Sequence, residues 1–221
     1  MNMKTDIGIA YKEYGKWKVV PINSKVAKKK EPEVVKMVYD TFKLYPTLEH
    51  EIEKREINWR KKKSVPAFSG SSYKEMEMKE GERIPYLVAY PSHASKNPLA
   101  LAGSKGGRVL VFDVTQKEID KINDDNRRKG VSKQIKKEDL ITFSILHELK
   151  HEDQGLRTPD FSKQQSSYDR YKRVFEEKYR NTSPQDIYKS KEAAKLYYEE
   201  NPYEKEALEY SLKKLKEMRK R

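Results

Sequence analysis

The sequence predicts an α+β fold, with a strand-containing N-terminal half followed by a helical C-terminal half. Three observations carry that expectation. Short β-branched and aromatic runs bounded by Gly, Pro and Ser recur before residue 115. From residue 116 onward, apolar residues repeat at helical spacing. Charged residues make up 38% of the chain and hydrophobic ones only 35%, yet the apolar residues cluster and aromatics reach 10%, as a folded core under a charged skin requires. At 221 residues without an internal repeat, the chain is most simply one domain.

Taken in order, Ile7 to Tyr11 and Trp17 to Val20 read as a hairpin around the turn-like KEYGK. In EPEVVKMVYDTFKLYP, Val34, Val35, Val38 and Phe42 recur at helical spacing until Pro46 stops the pattern. LEHEIEKREINWRKKK then suits a second, poorly apolar helix that ends in a basic run. These elements fill residues 1–63, and 64–83 (SVPAFSGSSYKEMEMKEGER) has the composition of a loop or mobile excursion.

Order returns over 84–221. Tyr86 to Tyr90 and Val109 to Val114 read as strands separated by PSHASKNPLALAGSKGG. Thr115 and Glu118 form a capping box for a helix over 116–129, with Gly130 as its stop. The next helix begins near Lys137 and runs to about Asp153, with Gly155 ending it. Tyr168, Tyr171, Phe175 and Tyr179 mark a further helix, SPQD at 183–186 caps another, and Asn201-Pro202 opens the last.

Composition narrows the chemistry. The absence of Cys excludes disulfides, thiol nucleophiles and thiolate metal sites, so any metal must be held by His and carboxylates. Abundant Lys and Glu together with fifteen Tyr resemble thermophile proteins, in which surface ion-pair networks become more favourable. No apolar run approaches a membrane span and the N-terminus lacks the pattern of a secretory signal, so a cytoplasmic protein with no membrane partner is expected. The net charge of +13 favours anionic partners. The basic runs KVAKKK, RKKK, RRKGVSKQIKK and KKLKEMRKR admit a nucleic-acid track, although 35 acidic residues offset them and a solvated charged surface accounts for them as well.

The stretch ITFSILHELKHEDQG (141–155) carries the sharpest signal. His147-Glu148-Leu149-Lys150-His151 is HExxH, and four-residue spacing on a helix sets both imidazoles on one face, one turn apart, where a single dication can be gripped by both. Glu148 lies about 100° around the helix from His147, within reach of a water on the metal without being a ligand. With Zn²⁺ as cofactor, this arrangement suits peptide hydrolysis with Glu148 as general base. Only four His occur in the chain, and the motif falls among Leu140, Ile141, Ile145, Leu146 and Leu149, the helical context it needs. The competing reading is a charged helix end that binds nothing.

Catalytic zinc normally takes three protein ligands and keeps one open position. A third His six residues after His151 is excluded by Arg157, and no His follows 151. NPYEKEALEY offers Glu204, Glu206 and Glu209. Glu204 aligns with Leu208, Leu212 and Leu215 on what reads as the core-facing stripe, where an unpaired carboxylate is costly, whereas Glu206 shares a face with Tyr210, Lys213 and Glu217 that reads as solvated. That favours Glu204 as the ligand, with Glu206 as the alternative; Glu204 in the first helical turn also suits a simple helix-start role.

HELKH followed some fifty residues later by an E-x-E-A helix resembles the gluzincin zinc metallopeptidases, in particular small HtpX-like and ImmA/IrrE-like members. The resemblance covers about 137–215 and implies a zincin-like metallopeptidase core within 84–221. It implies His147, His151 and Glu204 as zinc ligands and Glu148 as base. Many members carry Asp or Asn directly after the Ala of that motif to orient a ligand histidine; this chain has Leu208 there, so the support must come from elsewhere. The strand RVLVFDV suits pairing with an extended peptide substrate, or an interior place in the sheet. Tyr197, Tyr198 and Tyr203 are candidate oxyanion donors and His93 a candidate electrophile, each of a residue type that more often only packs or lies at the surface.

Overall fold

The structure, a computed structural model, describes residues 6–61, 85–94, 102–105, 108–128, 130, 133–156, 162–182, 186, 190–196 and 200–219. The stretch 64–83 and most of the SPQD cap lie outside the described residues. The α+β expectation is met, with strands in the first half and helices in the second.

A five-stranded sheet is built from β1 (Ile7–Glu13), β2 (Lys16–Pro21), β3 (Leu87–Tyr90), β4 (Ala102–Lys105) and β5 (Arg108–Phe112), in the spatial order β2-β1-β3-β5-β4. β1 and β2 pair antiparallel through the predicted hairpin, whose turn residues Tyr14 and Gly15 both have positive φ, at 49° and 81°. That is the twist-matched two-residue turn that antiparallel strands favour. β1, β3 and β5 run parallel to one another, and β4 returns antiparallel along β5. The sheet therefore joins strands from 1–63 and 84–221.

Of the two readings of RVLVFDV the interior one holds, whereas the outer strand differs from expectation. β5 is an interior strand, flanked by β3 and β4, so it has no free edge for a peptide. The outer strand is β4, inside the stretch the sequence reads as a connector. Its AGSK has little β-propensity; the legible signal is Gly106-Gly107 between the paired Lys105 and Arg108, a two-residue hairpin signature.

Between β2 and β3 come α1 (Lys25–Lys30), α2 (Pro32–Leu44) and α3 (Pro46–Lys61). α1 lies in a run read only as basic; Ser24 caps it by accepting from the Ala27 amide at 3.1 Å. After β5 follow α4 (Gln116–Arg128), α5 (Lys137–Leu156), α6 (Ser162–Tyr179), α7 (Lys191–Lys195) and α8 (Pro202–Arg219). The capping box at α4 is reciprocal, with Thr115 N–H donating to Glu118 Oε2 at 2.8 Å and Glu118 N–H to Thr115 Oγ1 at 3.3 Å. Gly130 takes φ 77° just beyond α4. α5 continues through Gly155 to Leu156, one residue beyond the expected stop.

Alternation divides the sheet into two faces. Ile7, Ile9, Leu87, Ala89, Val109 and Val111 point into the main core with helical residues such as Val34, Phe42, Leu48, Ile52 and Ile145. Ala10, Val19, Val88 and Tyr90 point the other way, beside Trp17, Leu110 and Phe112. α5 packs against α2, α3, β4, β5 and α8. Ile141, Ile145, Leu146 and Leu149 are all buried, so the segment bearing HExxH is a central helix and not an outer one. Among the described residues no helix is long and apolar enough to cross a membrane.

Gly8 is required by a close approach. A Cβ there would stand 2.5 Å from Val19 Cγ1 and 2.8 Å from Pro85 Cγ. Gly8→Ala is expected to destabilise the protein by about 1–3 kcal/mol through overpacking. Denaturant midpoints check this, with part of the loss recovered in Gly8→Ala/Val19→Ala.

Candidate metal centre

α5 and α8 lie antiparallel, tied at one end by Asp139 with Arg219 and at the other by Gln154 with Tyr203. This pairing brings Glu204 across from the two imidazoles. His147 Nε2 lies 3.1 Å from Glu204 Oε2 and 3.0 Å from His151 Nε2, and His151 Nε2 lies 3.4 Å from Glu204 Oε1. Four ligands at zinc's usual bond lengths stand about 3.3 Å apart at the corners of a tetrahedron. The two ring nitrogens thus stand close to that spacing from each other and from the carboxylate, each facing a different oxygen of Glu204, and the donor set of two imidazoles and one carboxylate suits zinc. Among the described residues, His147, His151 and Glu204 are the one group of this kind.

Their electrostatics point the same way. Glu204 is 7% exposed, and a carboxylate that deep needs compensation. Burial works to depress the His151 imidazole, but hydrogen bonding and charge from Glu204, with smaller help from Gln154 and Glu148, hold its pKa above the ordinary value. The pocket therefore favours positive charge between the rings and the carboxylate. Glu148 is half-buried on the same helix, and its charge is felt at His151.

Glu204 is buried, as expected, but the stripe that carries it is different. Glu204, Ala207, Ser211 and Leu215 face inward, while Leu208 and Leu212 are 39% and 55% exposed. Small Ala207 and Ser211 let the helix sit close. Large Leu residues dominate a sequence-based stripe, yet the core here selects by fit.

Glu206 does not lie on a solvated face. Its Oε1 pairs with Lys150 Nζ at 2.6 Å, and its Oε2 accepts from Gln154 Nε2 at 3.0 Å. Glu209 is exposed. Tyr203 uses its carbonyl to accept from Gln154 Nε2 at 3.0 Å. Tyr197 and Tyr198 lie outside the described residues. His93 stacks on Trp17, whose ring packs on the sheet face opposite the main core, so it is not brought to the cluster.

A second group holds the site's framework. Arg55 of α3 grips Asp153 of α5 with Nε at 3.1 Å and Nη2 at 2.9 Å, and donates to Tyr210 Oη of α8 at 2.8 Å and to Glu51 Oε2 at 2.9 Å. Burial opposes the charge of Arg55, but these partners outweigh it and keep it protonated. Sequence reading missed this group because its members lie 98 and 155 positions from Arg55.

A cavity of about 780 Å³ opens at the other end of α5, between α2 and α4, and does not include the His–Glu group. The basic runs fall on separate elements, including α1, the end of α4 and α8. No known protein family, curated protein or solved structure matches the chain.

Arg55→Met leaves Asp153 and Glu51 without their common cation. Removing one partner of a buried pair typically costs 3–5 kcal/mol; Asp153 is 30% exposed, so a loss of about 3 kcal/mol is expected. Urea unfolding measures it.

Proposed function

We propose that the chain is a zinc-dependent peptide hydrolase of gluzincin type, with His147, His151 and Glu204 holding the metal and Glu148 as general base. The observation that supports this most is the convergence of two Nε2 atoms and the Glu204 carboxylate, 3.0 Å apart between the rings and 3.1 and 3.4 Å from the rings to the two carboxylate oxygens, with the charge of Glu148 felt at His151. The sequence resemblance assigns the same four residues the same roles.

A zinc ion bound there supplies a Lewis acid that polarises a peptide carbonyl and makes water acidic enough to give up a proton near neutral pH. Glu148 accepts that proton on a carboxylate oxygen as the water oxygen bonds to the carbonyl carbon. It returns the proton to the amide nitrogen as the C–N bond breaks, so the products are a carboxylic acid and an amine, which exchange a proton to become a carboxylate and an ammonium. Glu204 would balance charge on the metal side.

β4 offers the substrate a track. This outer strand packs against α5, and among the described residues no strand pairs with its far edge. An extended peptide can add to such an edge through backbone hydrogen bonds.

Glu148→Gln removes the base and keeps the ligands. The variant is expected to bind zinc as wild type does, by metal analysis and thermal shift, and to cleave casein or a peptide library about 10²–10⁴-fold more slowly. Cleavage at the wild-type rate overturns the assignment. Tight, salt-dependent binding of DNA or RNA by a protein without peptidase activity would favour a nucleic-acid role instead.

A further inference from the structure

We infer that Gln154 is the positioning residue of the metal centre, fixing the tautomer of His151 and aiming its Nε2 at the metal. The inference rests on the metal-binding reading above. It begins with the side-chain amide. Gln154 is 4% exposed, and its nitrogen faces two acceptors at 3.0 Å, the Tyr203 carbonyl and Glu206 Oε2. Both can only accept, so the nitrogen stands there and the oxygen is turned the other way.

Oε1 then lies 2.8 Å from His151 Nδ1. An amide oxygen cannot donate, so Nδ1 carries the hydrogen and Nε2 keeps its lone pair toward His147 and Glu204. That is the tautomer a zinc ligand needs. Rotating the amide would set NH₂ against Nδ1 and leave oxygen facing oxygen at Tyr203 and Glu206. The orientation is therefore locked from α8, the same helix that delivers Glu204.

The contrast with His147 sharpens the assignment. Among the described residues its Nδ1, which is buried, meets no hydrogen-bond partner. Position 208, where the resemblance leads one to look for an orienting Asp or Asn, is a 39%-exposed Leu. Support comes instead from within α5, three residues after the histidine it orients, and serves one imidazole and not the other.

The test compares the full-length wild type with Gln154→Met, which keeps the side chain's length, and with Gln154→Glu/Glu206→Gln, which keeps an acceptor on Nδ1 and exchanges the acid and amide. Zinc affinity is measured by chelator competition, tetrahedral Co²⁺ absorption reports ligand geometry, and ¹⁵N NMR of the metal-free protein, at a pH where the ring is neutral, reports the His151 tautomer. Gln154→Met is expected to weaken zinc binding about 10- to 100-fold, alter the Co²⁺ bands and lose the single Nδ1–H tautomer, while its circular dichroism stays that of wild type. The double variant sets a carboxylate oxygen against the Tyr203 carbonyl and takes the charge from the partner of Lys150, so it is expected to recover the tautomer and only part of the affinity. A Gln154→Met protein with wild-type affinity, Co²⁺ spectrum and tautomer overturns the inference while leaving the metal centre standing. A wild type that binds neither Zn²⁺ nor Co²⁺ overturns the metal reading and this inference with it. If Gln154→Met unfolds, the double variant decides, because a folded protein that fails to hold the Nδ1–H tautomer also overturns it.

Discussion

Everything in the C-terminal half turns on one buried carboxylate. Glu204 is carried into the protein by α8 and meets two imidazoles one turn apart on α5. Burying that charge without partners would cost several kcal/mol, more than most single contacts return. The arrangement is tolerable only if positive charge sits between the three groups, as a proton shared with the imidazoles or as a dication. The pairing of α5 with α8 is thus an electrostatic bargain as well as a hydrophobic one, and its apolar share, Leu149 and Leu215 with Ala207 and Ser211, has to bring the backbones close enough for it.

The rest of the fold fixes that pair at both ends. Near the start of α5, Asp139 accepts from Tyr45 at the end of α2 and from Arg219 at the end of α8. Toward its other end, Arg55 of α3 ties Asp153 to Tyr210. The sheet supplies the floor, since α5 lies against β4 and β5. A helix held from three neighbouring helices and a sheet has little freedom to twist, and ligand atoms a few tenths of an ångström out of place lose affinity steeply. Rigid elements with locked side chains are what such sites require.

The sequence made some of this legible because the information is local. Helical arithmetic alone sets His147 beside His151, and the capping box at Thr115 and the turn at Tyr14-Gly15 depend on neighbours within three residues. Glu204 was legible by burial cost, although the stripe that justified it included Leu208 and Leu212, which face outward. Composition-based stripes weigh size, whereas close helix pairing favours Ala and Ser. β4 was hidden by its small residues, and α1 by its lysines. Arg55 and Gln154 were illegible because a polar residue in a charged chain declares its partner only when distant elements meet.

Lys150 raises the question of why a cation is tolerated inside HELKH. It is 5% exposed and adjacent in sequence to His151, a proposed ligand, where an ammonium free to swing toward a bound dication would oppose it. Glu206 draws its Nζ to 2.6 Å and the Tyr210 ring lies 5.6 Å from it, so its charge is engaged by α8. The second acid of the E-x-E-A pattern therefore has two duties, neutralising Lys150 with one oxygen and holding the Gln154 amide with the other. On this view the two glutamates of α8 divide the labour by helix geometry. Two positions apart, they project about 200° from each other around the axis, so one can face the two imidazoles while the other braces Lys150 and Gln154.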